Sequence, residues 1–278
     1  MKGREIRKML REGKLVYSTC ATVQAPHWPQ LVKQAGVDFV FLDTEHTPIS
    51  RETLSWMCKV YSSLGIPPVV RLPYPNAFEA SKVLDGGAQG IIGPYVETAD
   101  QVRELAGAVR WQPLKGSRLQ EALQNPDCLE PELQSYLDDR NCDRLLIVMI
   151  ESVAGIENLD EILSVPGLDC VFIGPHDLSC SLGIPEKYSH PKFDVAVRTI
   201  FSKAREHNVG AGIHFWEDLD MEIEWSRAGG NLVMHSSDVS LFGSGLKREL
   251  EGLRDALEDP RKKDTRKSES QEDKQLVV

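Results

Sequence analysis

The sequence predicts a single-domain α/β protein, a (β/α)8 barrel with a long connection before its fifth strand. Eight short apolar runs recur along the chain, and a helix-like pattern follows most of them. The runs are continuous rather than alternating, as expected of parallel strands covered on both faces. Eight strand–helix repeats within about 245 residues is also the size of such a barrel. In order, the runs are Lys14-Leu15-Val16-Tyr17-Ser18-Thr19, Asp38-Phe39-Val40-Phe41-Leu42, then 68–71, 90–93, 144–150, 168–173, 209–213 and 231–234. Helical patterns fill 51–63, 77–84, 99–109 and 194–207 between them. A doubly wound open sheet is the competing architecture, but the first strand–helix turn has no GxGxxG. Two segments break the rhythm. Residues 111–143 hold Pro113, Gly116, Pro126, Pro131 and a short helical stretch at 132–137, and a connection this long points to a lid or an interface arm. From Pro260 to Val278 the chain is charged and has almost nothing to bury, so a disordered tail is expected. The reading is thus a helical extension over 1–12, a barrel over 13–259 and a tail over 260–278.

Composition bounds the function. With 42 acidic against 32 basic residues, the net charge of −10 leaves no basic stripe for a nucleic-acid partner. No apolar run is long enough to span a membrane, and the charged start lacks the apolar core of a signal peptide. The six cysteines (Cys20, Cys58, Cys128, Cys142, Cys170 and Cys180) form no CxxC pair and read as reduced thiols. A cytoplasmic location is expected.

Active sites of (β/α)8 barrels lie at the C-terminal ends of the strands. Those positions hold Asp43, Glu45 and His46, then Arg71, Glu151, His176 with Asp177, His214, and His235 with Asp238. Glu151 and Asp177 have the donor chemistry to share one hard cation, Mg²⁺ or Mn²⁺, with water completing an octahedron. Arg71 offers a planar fork to a carboxylate or enolate, and His46 offers an imidazole to move a proton. Each has a plainer reading as well. A strand-end carboxylate is often solvated or caps a helix, and a His there can simply orient Asp85 or a water. His214 and His235 read as rim histidines, and Trp56, Trp111, Trp216 and Trp225 as packing anchors. Pro94 and Tyr95 either line the pocket or pack.

Three stretches together resemble one family. They are Phe41-Leu42-Asp43-Thr44-Glu45-His46-Thr47-Pro48; Val70-Arg71-Leu72-Pro73 with Lys82-Val83-Leu84-Asp85-Gly86-Gly87-Ala88; and Ile150-Glu151-Ser152 with Val171-Phe172-Ile173-Gly174-Pro175-His176-Asp177-Leu178-Ser179. The chain resembles, from about Gly13 to Leu257, the HpcH/HpaI aldolases, which are metal-dependent class II pyruvate aldolases of the phosphoenolpyruvate/pyruvate barrel superfamily. The resemblance implies a carbon–carbon lyase that cleaves 4-hydroxy-2-oxo acids to pyruvate and an aldehyde through an enolate, with oxaloacetate decarboxylation as a related activity. It implies a divalent ion (Mg²⁺, Mn²⁺ or Co²⁺) held by Glu151 and Asp177, and His46 as base on the aldol hydroxyl. Arg71 is implied to stabilise the enolate, Asp43 and Asp85 to orient His46, and the turn Gly174, Pro175, His176, Asp177 to bind the pyruvate carboxylate. It further implies a homo-oligomer, a hexamer or a dimer, with the last helix packing on a neighbour. Leu246, Leu250 and Leu253 make an apolar face for that, which would equally close the chain's own barrel.

The chain departs from the family pattern in three places. Met149 stands where many such aldolases carry a Gln, and a thioether cannot donate that hydrogen bond. His176 fills a position that is usually small. Gly116-Ser117-Arg118-Leu119 loses the last glycine of a G-x-R-G loop. Two other functions stay open on these residues. One is an acyl-CoA lyase resembling the citrate lyase β-subunit group, which would use Arg103, Arg110, Lys115 and Arg118 for the CoA phosphates. The other is a barrel that binds small carboxylates without turnover.

Overall fold

The computed structural model describes residues 1–125, 128–259 and 261, so the predicted tail, Arg261 apart, lies outside the described residues. Eight parallel strands close into one barrel in chain order. They are β1 (Val16–Cys20), β2 (Phe39–Asp43), β3 (Pro68–Arg71), β4 (Gly90–Gly93), β5 (Leu145–Met149), β6 (Cys170–Ile173), β7 (Gly210–Phe215) and β8 (Leu232–Ser237). Strand β8 pairs back onto β1. Helix α1 (Gly3–Arg11) precedes the barrel, and α2 (Trp28–Gln34), α3 (Arg51–Ser63), α4 (Ala77–Asp85) and α5 (Ala99–Arg110) follow the first four strands. The connection to β5 holds α6 (Gly116–Gln124) and α7 (Pro131–Asn141). After β5 come α8 (Val153–Glu157) and α9 (Leu159–Leu163), and after β6 come α10 (Pro175–Ser181) and α11 (Pro191–Glu206). Helix α12 (Leu219–Arg227) follows β7, and α13 (Asp238–Ala256) follows β8. Several helices start on side-chain caps: Ser50, Asn76, Thr98 and Asp218 accept backbone N–H groups of α3, α4, α5 and α12. None of the described helices is long and apolar enough to cross a membrane.

Side chains alternate across each strand, and that alternation builds both the core and the site. Phe39, Phe41, Val69, Ile92, Leu145, Ile147, Met149, Cys170 and Phe172 fill the barrel interior. Val40, Leu42, Val70, Leu146, Val148 and Ile150 turn outward against the helices. Ile6 and Leu10 of α1 belong to the interior cluster, so α1 closes the end where the strands begin. Gly210 makes room for it, since a Cβ there would lie 2.9 Å from a Leu10 methyl. Two residues on from Phe41, Val69, Met149, Phe172 and Gly212, the inward positions become Asp43, Arg71, Glu151, Gly174 and His214.

One part of the chain differs from expectation, and a second distinguishes two readings the sequence left open. Among the described residues of the 111–143 connection there is no lid: α6 and α7 pack beside α5 around a small core of Ala122, Leu129 and Leu137 with Trp111 and Leu114. Asn141 donates to the carbonyls of Arg110 and Gln112, fixing the insertion at the end of α5, near the base of the barrel. The physical reason is that the insertion has enough apolar residues to build its own core against α5. Helix α13 does not close its own barrel. Of its 19 residues only Asp238 is buried, while Leu241, Phe242, Leu246, Leu250 and Leu253 stay exposed. Beside β8 and β1 a groove of about 760 Å³ is left, lined by Leu15, Tyr17, Leu219, Ile223 and Val233.

Candidate active site

Asp43 and Arg71 end neighbouring strands and are paired in register. The guanidinium binds the carboxylate as a fork, Nε to Oδ1 at 2.7 Å and Nη2 to Oδ2 at 2.8 Å, with Asp43 fully buried and Arg71 nearly so. Below, Arg71 lies 5.4 Å over the Phe41 ring. Burial alone would raise the Asp43 pKa, but the Arg71 hydrogen bonds and charge hold it below the usual carboxylate range. The same carboxylate accepts the backbone N–H of Glu45 at 3.0 Å and of His46 at 3.3 Å. Asp43 therefore sets both the guanidinium and the turn that carries His46.

Glu151, two residues beyond β5, is 6% exposed. One oxygen accepts the N–H of Tyr95 at 2.9 Å; Tyr95 presents it from a left-handed backbone, φ 55°. A Cβ on Gly174 would stand 2.3 Å from the other oxygen, Oε1, so glycine keeps that oxygen clear. Burial pushes the Glu151 pKa up to about 7, and the charges of Asp177 and Glu45 add to the rise. Asp177 is half-buried in the first turn of α10, after Gly174 and Pro175. Met149 lies beneath: its methyl would sit 3.2 Å from a Gly174 Cβ, making the floor of the site apolar where a Gln would be polar.

Glu45 and Tyr95 are the residues that strand-end reasoning undervalued. The Glu45 side chain is only 8% exposed and lies 3.2 Å from Arg71 Nε. Its Oε1 accepts the Tyr95 phenol and stands 3.8 Å from His46 Nε2. The available signal was position: Glu45 shares a turn with His46, and Tyr95 follows β4 as Glu151 follows β5. His46 itself is half exposed.

Other predicted residues stand apart. Asp85 is the last residue of α4 and accepts from Gln112 at 2.9 Å. A barrel helix runs back toward the strand starts, so Asp85 lies at the far end from His46 and does not orient it within one chain. His176 is exposed, 3.8 Å from Glu186 and 4.0 Å from Cys180. His214 is an interior residue: it contacts the Ser236 carbonyl at 3.0 Å and the rings of Phe41 and Phe172, and burial drives its pKa down to about 4. His235 pairs with Glu222 at 2.8 Å on the groove beside β8 and β1, and Asp238 binds the backbone at Thr22 and Val23. Three of the four basic residues considered for the CoA phosphates are already paired. Arg103 pairs with Asp100, Arg118 with Glu121 and Glu130, and Arg110 is engaged by Gly167, Arg144 and Asp169.

Among the described residues no three His, Cys, Asp or Glu side chains form a metal cluster. The donor set nevertheless fits a hard divalent ion with two protein ligands. Glu45 and Asp177 both act on Glu151 as like charges, and Arg71 is already paired with Asp43. The result is a negative excess around a desolvated carboxylate whose free oxygen Gly174 leaves open.

A family model described as HpcH/HpaI aldolase/citrate lyase matches residues 23–244. A 2-keto-3-deoxy-L-rhamnonate aldolase of Shigella sonnei is 30% identical over 255 residues, 92% of this chain and 95% of that protein. Two solved structures superpose closely, each with a TM-score of 0.77. The HpcH/HpaI aldolase of Desulfitobacterium hafniense is 25% identical, covering 90% of this chain and 96% of its own. The citrate synthase SbnG is 28% identical, covering 91% and 99%.

Proposed function

The chain belongs to the HpcH/HpaI aldolase/citrate lyase family, and from that premise we propose that it is a divalent-metal-dependent lyase releasing pyruvate from 4-hydroxy-2-oxo acids. The observation that carries the proposal is Glu151 and Asp177 interacting beside an Arg71 fixed by Asp43, with Gly174 leaving the Glu151 oxygen clear. Glu151 and Asp177 would hold Mg²⁺, Mn²⁺ or Co²⁺. When bound, the ion supplies Lewis acidity to the 2-oxo and carboxylate oxygens of the substrate. The remaining work falls to the chain's own groups. His46 takes the proton of the 4-hydroxyl, the C3–C4 bond breaks, an aldehyde leaves, and the electron pair passes into the 2-oxo group. Arg71 supplies fixed positive charge where the enolate oxygen develops its negative charge; such a donor is worth about 10²–10³ in rate. The turn at Gly174, Pro175, His176 and Asp177 offers backbone N–H groups to the substrate carboxylate. Protonation of the enolate at C3 then yields pyruvate. Oxaloacetate reaches the same enolate by losing CO₂, with no hydroxyl proton to remove.

The assembly belongs to this reading. An uncovered groove and an apolar helix face on the same chain support a homo-oligomer in which α13 crosses to a neighbour, and that assembly is proposed. Leu246→Glu with Leu250→Glu should shift the sedimentation of the protein to that of a monomer; an unchanged species contradicts the crossover. The reaction is tested by pyruvate release, coupled to lactate dehydrogenase, from oxaloacetate and a panel of 4-hydroxy-2-oxo acids, with and without CoA thioesters. Pyruvate formed without CoA faster than in protein-free controls supports the proposal. Dependence on a CoA thioester, or no release above those controls from any substrate, overturns it.

A further inference from the structure

We propose that Tyr95, acting through the carboxylate of Glu45, is a positioning residue for His46; the proposal rests on His46 being the base of the reading above. Asp43 fixes the backbone of the His46 turn, but nothing in that contact orients the ring. Glu45 is the carboxylate that reaches it. Its Oε1 stands 3.8 Å from His46 Nε2, longer than a hydrogen bond, as catalytic pairs often are before substrate arrives. Its Oε2 is buried near Arg71 Nε at 3.2 Å and has no hydrogen-bond partner. Left to itself, this carboxylate would turn fully onto the guanidinium and leave the imidazole. The Tyr95 phenol prevents that by donating to Oε1, the oxygen nearer His46.

Tyr95 is built for this span. Its left-handed backbone aims its N–H at Glu151, beyond β5, while its side chain reaches Glu45, beyond β2. It thereby bridges the proton-transferring side of the site to the proposed metal-binding side. Tyr95 is 43% exposed, so removing the hydroxyl alone does not threaten the core.

The two reactions of the site separate this role from a structural one, because only aldol cleavage needs a base on a hydroxyl. Tyr95→Phe should lower kcat for aldol cleavage about tenfold, a fraction of the roughly 10²–10⁴ that a base contributes, with KM unchanged and oxaloacetate decarboxylation kept within about twofold. In a His46→Gln background, Tyr95→Phe should cause no further loss, since residues acting through one group are non-additive. A readout without turnover completes the test. In metal-free protein the His46 ring signal, identified in NMR spectra by its loss in His46→Gln, should move in Tyr95→Phe. Parallel loss of both reactions, additive losses in the double variant, or an unmoved His46 signal overturns the role of Tyr95. Full aldol activity in His46→Gln overturns the base assignment itself, and the proposal with it.

Discussion

Replacing Glu151 by Gln should make the metal-free protein more stable while removing its activity. A glutamate in the unfolded chain titrates near 4.5, whereas burial and the like charges of Asp177 and Glu45 push folded Glu151 up to about 7. The folded state therefore holds a proton that the unfolded chain releases between those values. Stability from this group is complete below pH 4.5 and is lost as pH rises through 7. The gap corresponds to about 3 kcal/mol, an order-of-magnitude figure. Gln keeps the size and the acceptor for the Tyr95 N–H but carries no charge. In EDTA at pH 8.5 the Glu151→Gln protein should melt about 6–12 °C above the parent, given about 2–4 °C per kcal/mol for a chain of this size. At pH 4.5 the two should nearly coincide. Calorimetric melting at fixed protein concentration reads both points. An equal gain at both pH values, or none at pH 8.5, would refute the claim that Glu151 carries an uncompensated buried charge.

Three further outcomes follow from the same geometry. Asp43→Asn, which leaves Arg71 buried against a neutral partner, should cost about 3–5 kcal/mol in urea unfolding; a loss under 1 kcal/mol contradicts the importance of the fork. Divalent-ion affinity measured by titration calorimetry should weaken as pH falls below about 7, because protons compete for Glu151. Affinity that is flat from pH 5 to 8 argues against Glu151 as a ligand. Gly174→Ala should lower pyruvate release by about 100-fold with little change in Tm, because its Cβ would fall 2.3 Å from Glu151 Oε1; near-parental activity would show that this oxygen is not needed.

The barrel was legible because continuous apolar runs of strand length recur eight times, and every strand falls on one of them. The site was legible in part because chain alternation fixes direction: once Phe41 and Val69 face inward, Asp43 and Arg71 must follow. Glu45 and Tyr95 lie beyond strand ends, where alternation stops and loop dihedrals decide. Nothing local announces that Tyr95 takes φ 55°. Asp85 stands apart from His46 within one chain for a related reason. It sits in the motif that follows Arg71, but sequence proximity across α4 becomes separation along the barrel axis, since the helix returns to the far end. The apolar face of α13 was visible, but whether it covered its own seam depended on the angle at which the helix leaves Ser237, which hydrophobic spacing does not encode.

The most direct measurement adds Mn²⁺ back to metal-stripped protein and follows pyruvate release from oxaloacetate against bound metal. Expected is no release above the protein-free rate in EDTA, activity rising in step to one ion per chain, and neither binding nor release above that rate in Asp177→Asn. Release in EDTA faster than without protein, or undiminished release from Asp177→Asn, would contradict it.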